Sequence, residues 1–243
     1  MAEKRIIDIR LFEELENTRS FPDYAGKIYA IEKEVHLICT RFARKLREQN
    51  FITGEFDHVY IVMTPLLGEQ VVREAERQID KRVKCYYVGV AIDSFNYKSV
   101  KEKEVYILEL VAKVLLEIAH NAEQADLVIS THQLLLQLGS EVEITHLTKE
   151  TKKYKIMITY QIHPNNAKSK AIIEYHDLQQ AVKRKKAFLE LNMYEDIYFL
   201  ASTVMLQKDM ICIKPKTSET ARYHTKDYVT PINLAIEEIP YME

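Results

Sequence analysis

Two residues of this chain have the spacing of a known catalytic pattern. Glu150 and Lys152 match the Glu-x-Lys pair of a large class of metal-dependent nucleases, in which carboxylates hold Mg²⁺ and the lysine orients a water molecule. Such a site also needs an aspartate at a neighbouring strand end, but the closest earlier one, Asp126, falls within a predicted helix. Because the pair lies in a charged run between predicted strands, we interpret it as part of a solvated loop.

The other residues that could carry out chemistry are scattered. None of the eight histidines belongs to a compact metal-ligand set such as His-Glu-x-x-His, and the five glycines form no phosphate-binding loop. The cysteines Cys39, Cys85 and Cys212 stand alone in apolar runs, which is typical of buried, reduced thiols. The sequence therefore predicts no catalytic residues, no metal site and no cofactor.

Composition limits the classes of partner. The 243 residues are 47% hydrophobic and carry a formal net charge of −2, which gives no field that indicates nucleic-acid binding. The basic run 183–186 lacks interleaved aromatic residues, so we interpret it as a solvated loop. No run approaches the ~18 apolar residues that a membrane-spanning helix needs, and the first residues have no signal-peptide core. We expect a cytoplasmic protein that binds neither nucleic acid nor a membrane.

Helical periodicity dominates the first 140 residues. Apolar side chains recur every three or four positions over 27–49, which predicts one amphipathic helix. Ser99 and Glu102 match the capping box that begins a helix, and two helical patterns follow before a stop at Gly139. The first of these patterns leaves Lys103 outside its apolar stripe.

Strand patterns surround one ambiguous segment. The runs 56–64 and 84–92 are rich in β-branched and aromatic residues and predict strands. Between them, residues 68–84 favour a helix by propensity, and a charged strand paired with the second run is the alternative. From residue 141 to 243, alternating runs separated by turns predict further strands, including 186–193 and 197–206.

These patterns predict an α+β fold, in which long amphipathic helices pack against a mostly antiparallel sheet. The helix-rich residues 1–140 and the strand-rich residues 141–243 are not separated by a Gly/Ser/Pro-rich linker. We therefore predict a single domain over 1–243.

Tyrosines on the predicted strands are candidate contact residues, because tyrosine offers a large contact area at a small entropy cost. If the runs are regular strands, their alternation brings two pairs of tyrosines onto shared faces, with carboxylates beside one pair. The predicted partner-binding residues are Tyr154, Tyr160, Tyr194, Glu195, Asp196 and Tyr198. Core packing is the alternative explanation for the tyrosines. Acidic groups near aromatic anchors suit a basic partner, and the acidic segments 13–16 and 237–243 are a second candidate surface.

The stretches 51–61 and 89–96, with the helix that follows, resemble bacterial immunity proteins of polymorphic toxin systems. The shared features are a tyrosine-bearing strand, the Phe95-Asn96 turn and a Lys/Glu-rich amphipathic helix. The resemblance implies a cytosolic, non-enzymatic protein that binds and neutralises a cognate toxin. A basic, nuclease-like toxin would suit the acidic groups described above. The alternative is a metal-dependent nuclease or phosphoesterase of unrecognised type, with carboxylates and histidines from distant segments.

Overall fold

The computed structural model describes residues 3–16, 21–76, 80–164 and 167–242. The chain divides into two compact units, Met1–Val142 and Glu143–Glu243, which are described separately. Helices and strands occur in both units and most strand pairs are antiparallel, so the predicted α+β class is confirmed. The single domain stays a prediction.

The described part of the first unit contains a five-stranded sheet and four α-helices. The helices are α1 (Lys33–Glu48), α2 (Ile92–Asn96), α3 (Val100–Ile118) and α4 (Ala122–Leu138). The strands are β1 (Lys4–Arg5), β2 (Asp8–Glu13), β3 (Asp23–Tyr24), β4 (Ile52–Gly54), β5 (His58–Thr64), β6 (Val72–Glu74) and β7 (Val83–Gly89). The sheet has the order β3-β2-β5-β7-β6, and β1 pairs with β4.

The three central strands of this sheet are parallel. In register, Asp8 of β2 lies opposite His58 of β5, which lies opposite Val83 of β7. A parallel pair requires a long crossover connection, and α1 belongs to the one between β2 and β5. The outer strands β3 and β6 are antiparallel to their neighbours. The pattern of a single strand does not show the direction of its neighbour, so this parallel core was absent from the sequence prediction.

Alternate residues of the central strands and one stripe of each long helix form the core of the first unit. The strand residues are Ile9, Leu11, Val59, Ile61, Met63, Tyr86 and Val88. The predicted stripe of α3 is buried at Ile107, Leu108, Val111, Val114, Leu115 and Ile118. The capping box is also confirmed: Ser99 Oγ accepts from the backbone N–H of Glu102, and the Glu102 carboxylate accepts from that of Ser99.

Two predicted elements of the first unit were wrong in part. The helix predicted over 27–49 begins only at Lys33, because the backbone amides of 26–29 are bound to a distant carboxylate. Within 68–84, residues 72–74 form β6 instead of the favoured helix, so the strand alternative is correct there. Gly89 and Gly68 touch so closely that a Cβ on Gly89 would lie 1.9 Å from the Gly68 carbonyl oxygen. Residues 77–79 lie outside the described chain.

The described part of the second unit contains antiparallel sheets and two short α-helices. The strands are β8 (Ile144–Glu150), β9 (Tyr154–Tyr160), β10 (Ser169–Asp177), β11 (Val182–Leu191), β12 (Thr203–Gln207), β13 (Met210–Lys214) and β14 (Ile232–Ala235). The helices are α5 (Ile197–Leu200) and α6 (Glu219–Thr225). The sheets have the orders β11-β10-β9-β8 and β12-β13-β14.

The strand predicted over 197–206 was wrong in its first half. Tyr194–Asp196 is a 3₁₀ turn that continues into α5, and the strand starts only at Thr203. The Asp196 carboxylate accepts a hydrogen bond from the backbone N–H of Met193 at 3.0 Å, which closes the turn. This side chain-to-backbone bond competes with strand pairing.

Candidate binding surfaces and buried carboxylates

Three of the predicted contact residues lie together in the second unit. Tyr160 ends β9 and is buried, the Tyr194 ring stacks on it at 6.4 Å, and the Tyr198 ring packs edge-on at 5.8 Å. The hydroxyl oxygens of Tyr160 and Tyr198 are 2.6 Å apart and share a hydrogen bond. Much of their aromatic surface therefore packs within this unit, as the core-packing alternative describes.

A histidine extends this tyrosine cluster. The His146 ring lies 5.4 Å from that of Tyr198, and its Nε2 is 2.8 Å from the carbonyl oxygen of Ala201. Burial lowers the pKa of His146 and outweighs the opposite effect of the carbonyl. At neutral pH the imidazole is therefore neutral and donates its Nε2–H to Ala201, which makes it a structural link between β8 and the end of α5.

The other predicted contact residues lie apart from this cluster. Tyr154 begins β9, about 20 Å from Tyr160 along the strand, and stacks on Tyr175 of β10 at 6.5 Å. Glu195 is half-buried, and its Oε2 is shielded from solvent without a hydrogen-bond partner among the described residues. Asp196 is buried and faces a different set of groups.

Asp196 joins three segments of the second unit. Its Oδ2 accepts hydrogen bonds from the Met193 backbone N–H and from the Tyr228 hydroxyl at 2.6 Å, and its Oδ1 is 3.2 Å from Nδ1 of His224. The Tyr228 hydroxyl also accepts from the backbone N–H of Asn192 at 2.7 Å. Burial and the bond to Asp196 raise the pKa of Tyr228. A carboxylate that orients a histidine is also used in general-base catalysis; here the same bonds fix α6 and its following loop to the 3₁₀ turn.

Exposed apolar side chains lie on the segments that this carboxylate joins. Met193, Tyr223 and Val229, which we call the α6 surface, are 58%, 69% and 89% exposed. The Lys226 ammonium lies 4.7 Å from the centre of the Tyr223 ring. Exposed aromatic and apolar groups on a rigid support are suited to protein contacts.

In the first unit, the carboxyl ends of the parallel strands are where open α/β sheets bind ligands. β2 ends there at Glu13, which is 1% exposed. Its carboxylate accepts hydrogen bonds of 2.9–3.1 Å from four consecutive backbone N–H groups, those of Gly26, Lys27, Ile28 and Tyr29. Successive backbone amides make a concave anion site, and in this chain its own glutamate occupies that site.

The segment held by Glu13 crosses the carboxyl edge of the sheet. The Tyr29 hydroxyl donates to the carbonyl of Val90, just after β7, at 2.8 Å. The Asn96 side chain donates to the carbonyl of Ile28 at 2.9 Å and accepts from the N–H of Ala30 at 2.8 Å. Tyr29 is fully buried, and burial raises the pKa of its hydroxyl. Residues 25–31 therefore fill the crevice that would receive a ligand.

A lysine completes this closure. Lys103, predicted to lie outside the apolar stripe of α3, is 4% exposed, and its Nζ donates to the carbonyl of Ala30 at 2.5 Å. The same Nζ lies 3.2 Å from Oε1 of Glu32. The prediction was wrong because a carbonyl and a carboxylate more than seventy positions earlier provide the partners that a buried lysine needs.

The nuclease-like pair Glu150 and Lys152 is exposed. Glu150 ends β8 and forms an ion pair with Lys155 at 3.2 Å, and Lys152 lies in the following turn. Within the described residues, no three His, Cys, Asp or Glu side chains are grouped as metal ligands.

The second candidate surface, the acidic segments near the chain ends, is exposed only in part. Glu13 and Glu14 are buried, whereas Glu16, Glu237 and Glu238 are exposed. Glu243 lies outside the described residues. Sequence reasoning did not find the roles of Glu13, Tyr29, His224 and Tyr228, because their partners are distant in the chain and belong to no local motif.

Comparison with known proteins gives no relative: no family model, curated protein or solved structure matches this chain. None of the helices in the described part of the chain has both the length and the apolarity needed to cross a bilayer.

Proposed function

We propose that this chain is a non-enzymatic protein-binding module that neutralises a toxin through a stoichiometric complex, as immunity proteins do. The observation that carries the proposal is the closed carboxyl edge of the first unit. The position where a parallel sheet binds a small ligand is occupied by residues 25–31, which Glu13 and Lys103 hold in place. Such a closed scaffold offers its outer surface to a partner.

The buried polar groups support the same function. Asp196 and His146 make hydrogen bonds to their own chain, and both fix turns or helix ends in place. Rigid elements of this kind reduce the entropy lost when a partner binds. An inhibitor of a toxin that acts inside the cell would work in the cytoplasm.

The proposal predicts that a toxin is encoded beside the gene for this chain, and the experiment uses the toxic domain of that protein. Bacterial cells that express the toxin domain should survive when this chain is co-expressed. The two purified proteins should elute together with a mass of one copy of each, measured by light scattering. Leu115→Asp, which introduces a charge into the core, is the matched variant that should not protect.

A different result would support the enzyme alternative. If the purified chain cleaved nucleic acid or a phosphodiester in the presence of Mg²⁺, and Glu150→Ala abolished that cleavage, the binding function would be wrong. Protection of cells without any complex would contradict it as well.

A further inference from the structure

One side of the helix pair α3–α4 carries exposed apolar side chains. Helical spacing places Ile129, His132 and Leu136 on the same side of α4, and Ile129 and Leu136 are 44% and 41% exposed. On α3, which packs against α4, Leu116 is 41% exposed. Leucine and isoleucine seldom lie in such a row on a helix that faces only water.

His132 shows that this side of α4 faces α3. The carboxylate of Glu109 on α3 is close enough to act on the imidazole, although burial dominates and lowers the pKa of His132. The Nε2 of His132 is shielded and has no hydrogen-bond partner among the described residues. We call the side formed by Leu116, Ile129, His132 and Leu136, with Glu109 and Asp126 beside it, the α3–α4 face.

The charges around this face are mostly negative. Lys113 of α3 is exposed about one turn before Leu116, and residues 114–142 contain no lysine or arginine. The same residues include four carboxylates, Glu117, Glu123, Asp126 and Glu141, and all four are exposed. Over the whole of the α4 helix the formal charge is −2, from Glu123 and Asp126. The potential here attracts a cationic surface.

We propose that the α3–α4 face is the docking surface for a basic protein, whose apolar side chains cover Ile129 and Leu136 and whose lysines or arginines pair with the surrounding carboxylates. This inference rests on the proposed function and names the surface and the charge of the partner. A helix of 17 residues is about 25 Å long, and two such helices side by side present on the order of 500 Å². With its rim, this face approaches the roughly 800 Å² that each partner of a stable complex buries.

The test measures binding of the purified toxin domain encoded beside the gene to four forms of the full chain. Ile129→Lys and Leu136→Lys should each weaken binding by about tenfold or more, because each removes an apolar anchor and adds a charge of the partner's sign. Leu178→Lys, at a residue of the second unit that is 47% exposed, is the matched control and should bind like the unchanged chain. Thermal melts should show that all four forms are folded.

Two further measurements show where the partner binds and whether its surface is basic. Hydrogen exchange of the complex should show new protection over residues 109–138, and the affinity should fall as salt rises from 50 to 500 mM, with a smaller fall for Asp126→Asn. A tight complex protected elsewhere, for example at the α6 surface, would overturn this inference and leave the proposed function intact. Failure to form any complex would overturn both. The free chain could instead form a dimer that Ile129→Lys converts to a monomer. That result would show that the α3–α4 face binds a second copy of this chain, and it would also overturn the inference.

Discussion

Each unit of this protein has a buried carboxylate, and the two are used differently. Glu13 in the first unit accepts hydrogen bonds from four consecutive backbone amides. Asp196 in the second unit accepts from one amide, one tyrosine hydroxyl and one histidine. The first carboxylate therefore fixes the path of a segment, and the second fixes the positions of side chains on separate segments.

This difference shows how each unit keeps its surface rigid. The parallel sheet of the first unit has a crevice at its carboxyl edge, and the backbone of 25–31 fills it because Glu13 satisfies the amides that a helix would otherwise use. The strand pairs in the described part of the second unit are antiparallel. Its short helices instead need Asp196, Tyr228 and His224 to hold them against the turn.

The largest expected effect is the loss of the helix–sheet core of the first unit. Leu115→Asp places a carboxylate at a fully buried position of α3, which should destabilise the fold by about 4 kcal/mol or more. Thermal unfolding followed by circular dichroism should lose its cooperative transition. The neighbouring Leu116→Asp, at an exposed position, should melt like the unchanged chain. Equal melts for both variants would show that the buried face of α3 is wrongly assigned.

The second largest effect is expected at Glu13, and it distinguishes the role of this carboxylate from that of Asp196. Glu13→Gln leaves only one oxygen for four amide donors, so the free energy of unfolding should fall by about 3 kcal/mol. Hydrogen exchange should show faster exchange at residues 26–29. Glu16→Gln, at an exposed position nearby, should change neither measurement. Unchanged exchange in Glu13→Gln would contradict the closed edge.

Asp196→Asn should have a smaller effect, about 1–2 kcal/mol, because the amide keeps one acceptor for Tyr228 or for the Met193 N–H. The expected change is faster exchange in α6, measured by hydrogen–deuterium exchange. The exposed Asp209→Asn is the control. If exchange rose equally in both variants, Asp196 would not be the link that holds α6.

A third carboxylate, that of Asp57 just before β5, should make the free energy of unfolding depend on pH. Burial raises the pKa of Asp57, but hydrogen bonds from Arg82 and His58 outweigh it, so that the pKa lies below its usual value. A depressed pKa stabilises the fold above the unfolded value of about 4, and this contribution is lost as the pH falls through the folded value. The stability difference between the unchanged chain and Asp57→Asn should therefore be full at pH 6 and shrink towards pH 2.

Urea unfolding at each pH measures this difference. The exposed Asp126→Asn should give a small difference at every pH. A difference for Asp57→Asn that grew as the pH fell would contradict the assigned hydrogen bonds.

The smallest effect is expected at the nuclease-like pair. Glu150→Ala and Lys152→Ala should each change the free energy of unfolding by less than about 0.5 kcal/mol, because both side chains are exposed and the ion pair of Glu150 with Lys155 is at the surface. Protection against the toxin should also be unchanged. A loss of protection in either variant would bring the loop into the functional site.

Local signals in the sequence predicted local structure well. Ser99 and Glu102 are three residues apart, so their reciprocal cap could be read directly and was confirmed, as was the stop of α4 at Gly139. The buried Glu13 and Lys103 could not be read in this way. Glu13 binds amides 13 to 16 positions later, Lys103 binds a carbonyl 73 positions earlier, and no spacing rule joins such groups.

Among the candidate contact residues, too, one part of the prediction was correct and another part was wrong. Alternation correctly placed Tyr154 and Tyr160 on one face of β9. It failed for Tyr194 and Tyr198, because residues 197–200 continue the turn at Tyr194–Asp196 into α5 where a strand was predicted. The α3–α4 face was missed because its apolar residues border the buried stripes of the two helices. Which of these residues stay exposed depends on how α3 and α4 pack, and the sequence does not show that packing.

The most direct test of the binding function is a titration of toxin activity with this chain. Fixed toxin is mixed with increasing amounts of the chain, at concentrations far above the dissociation constant, and the residual activity is measured. For a stoichiometric inhibitor we expect a linear fall of toxin activity that reaches zero at one chain per toxin. Complete inhibition at a small fraction of one equivalent, or turnover of toxin by the chain, would show catalysis and would contradict a stoichiometric inhibitor.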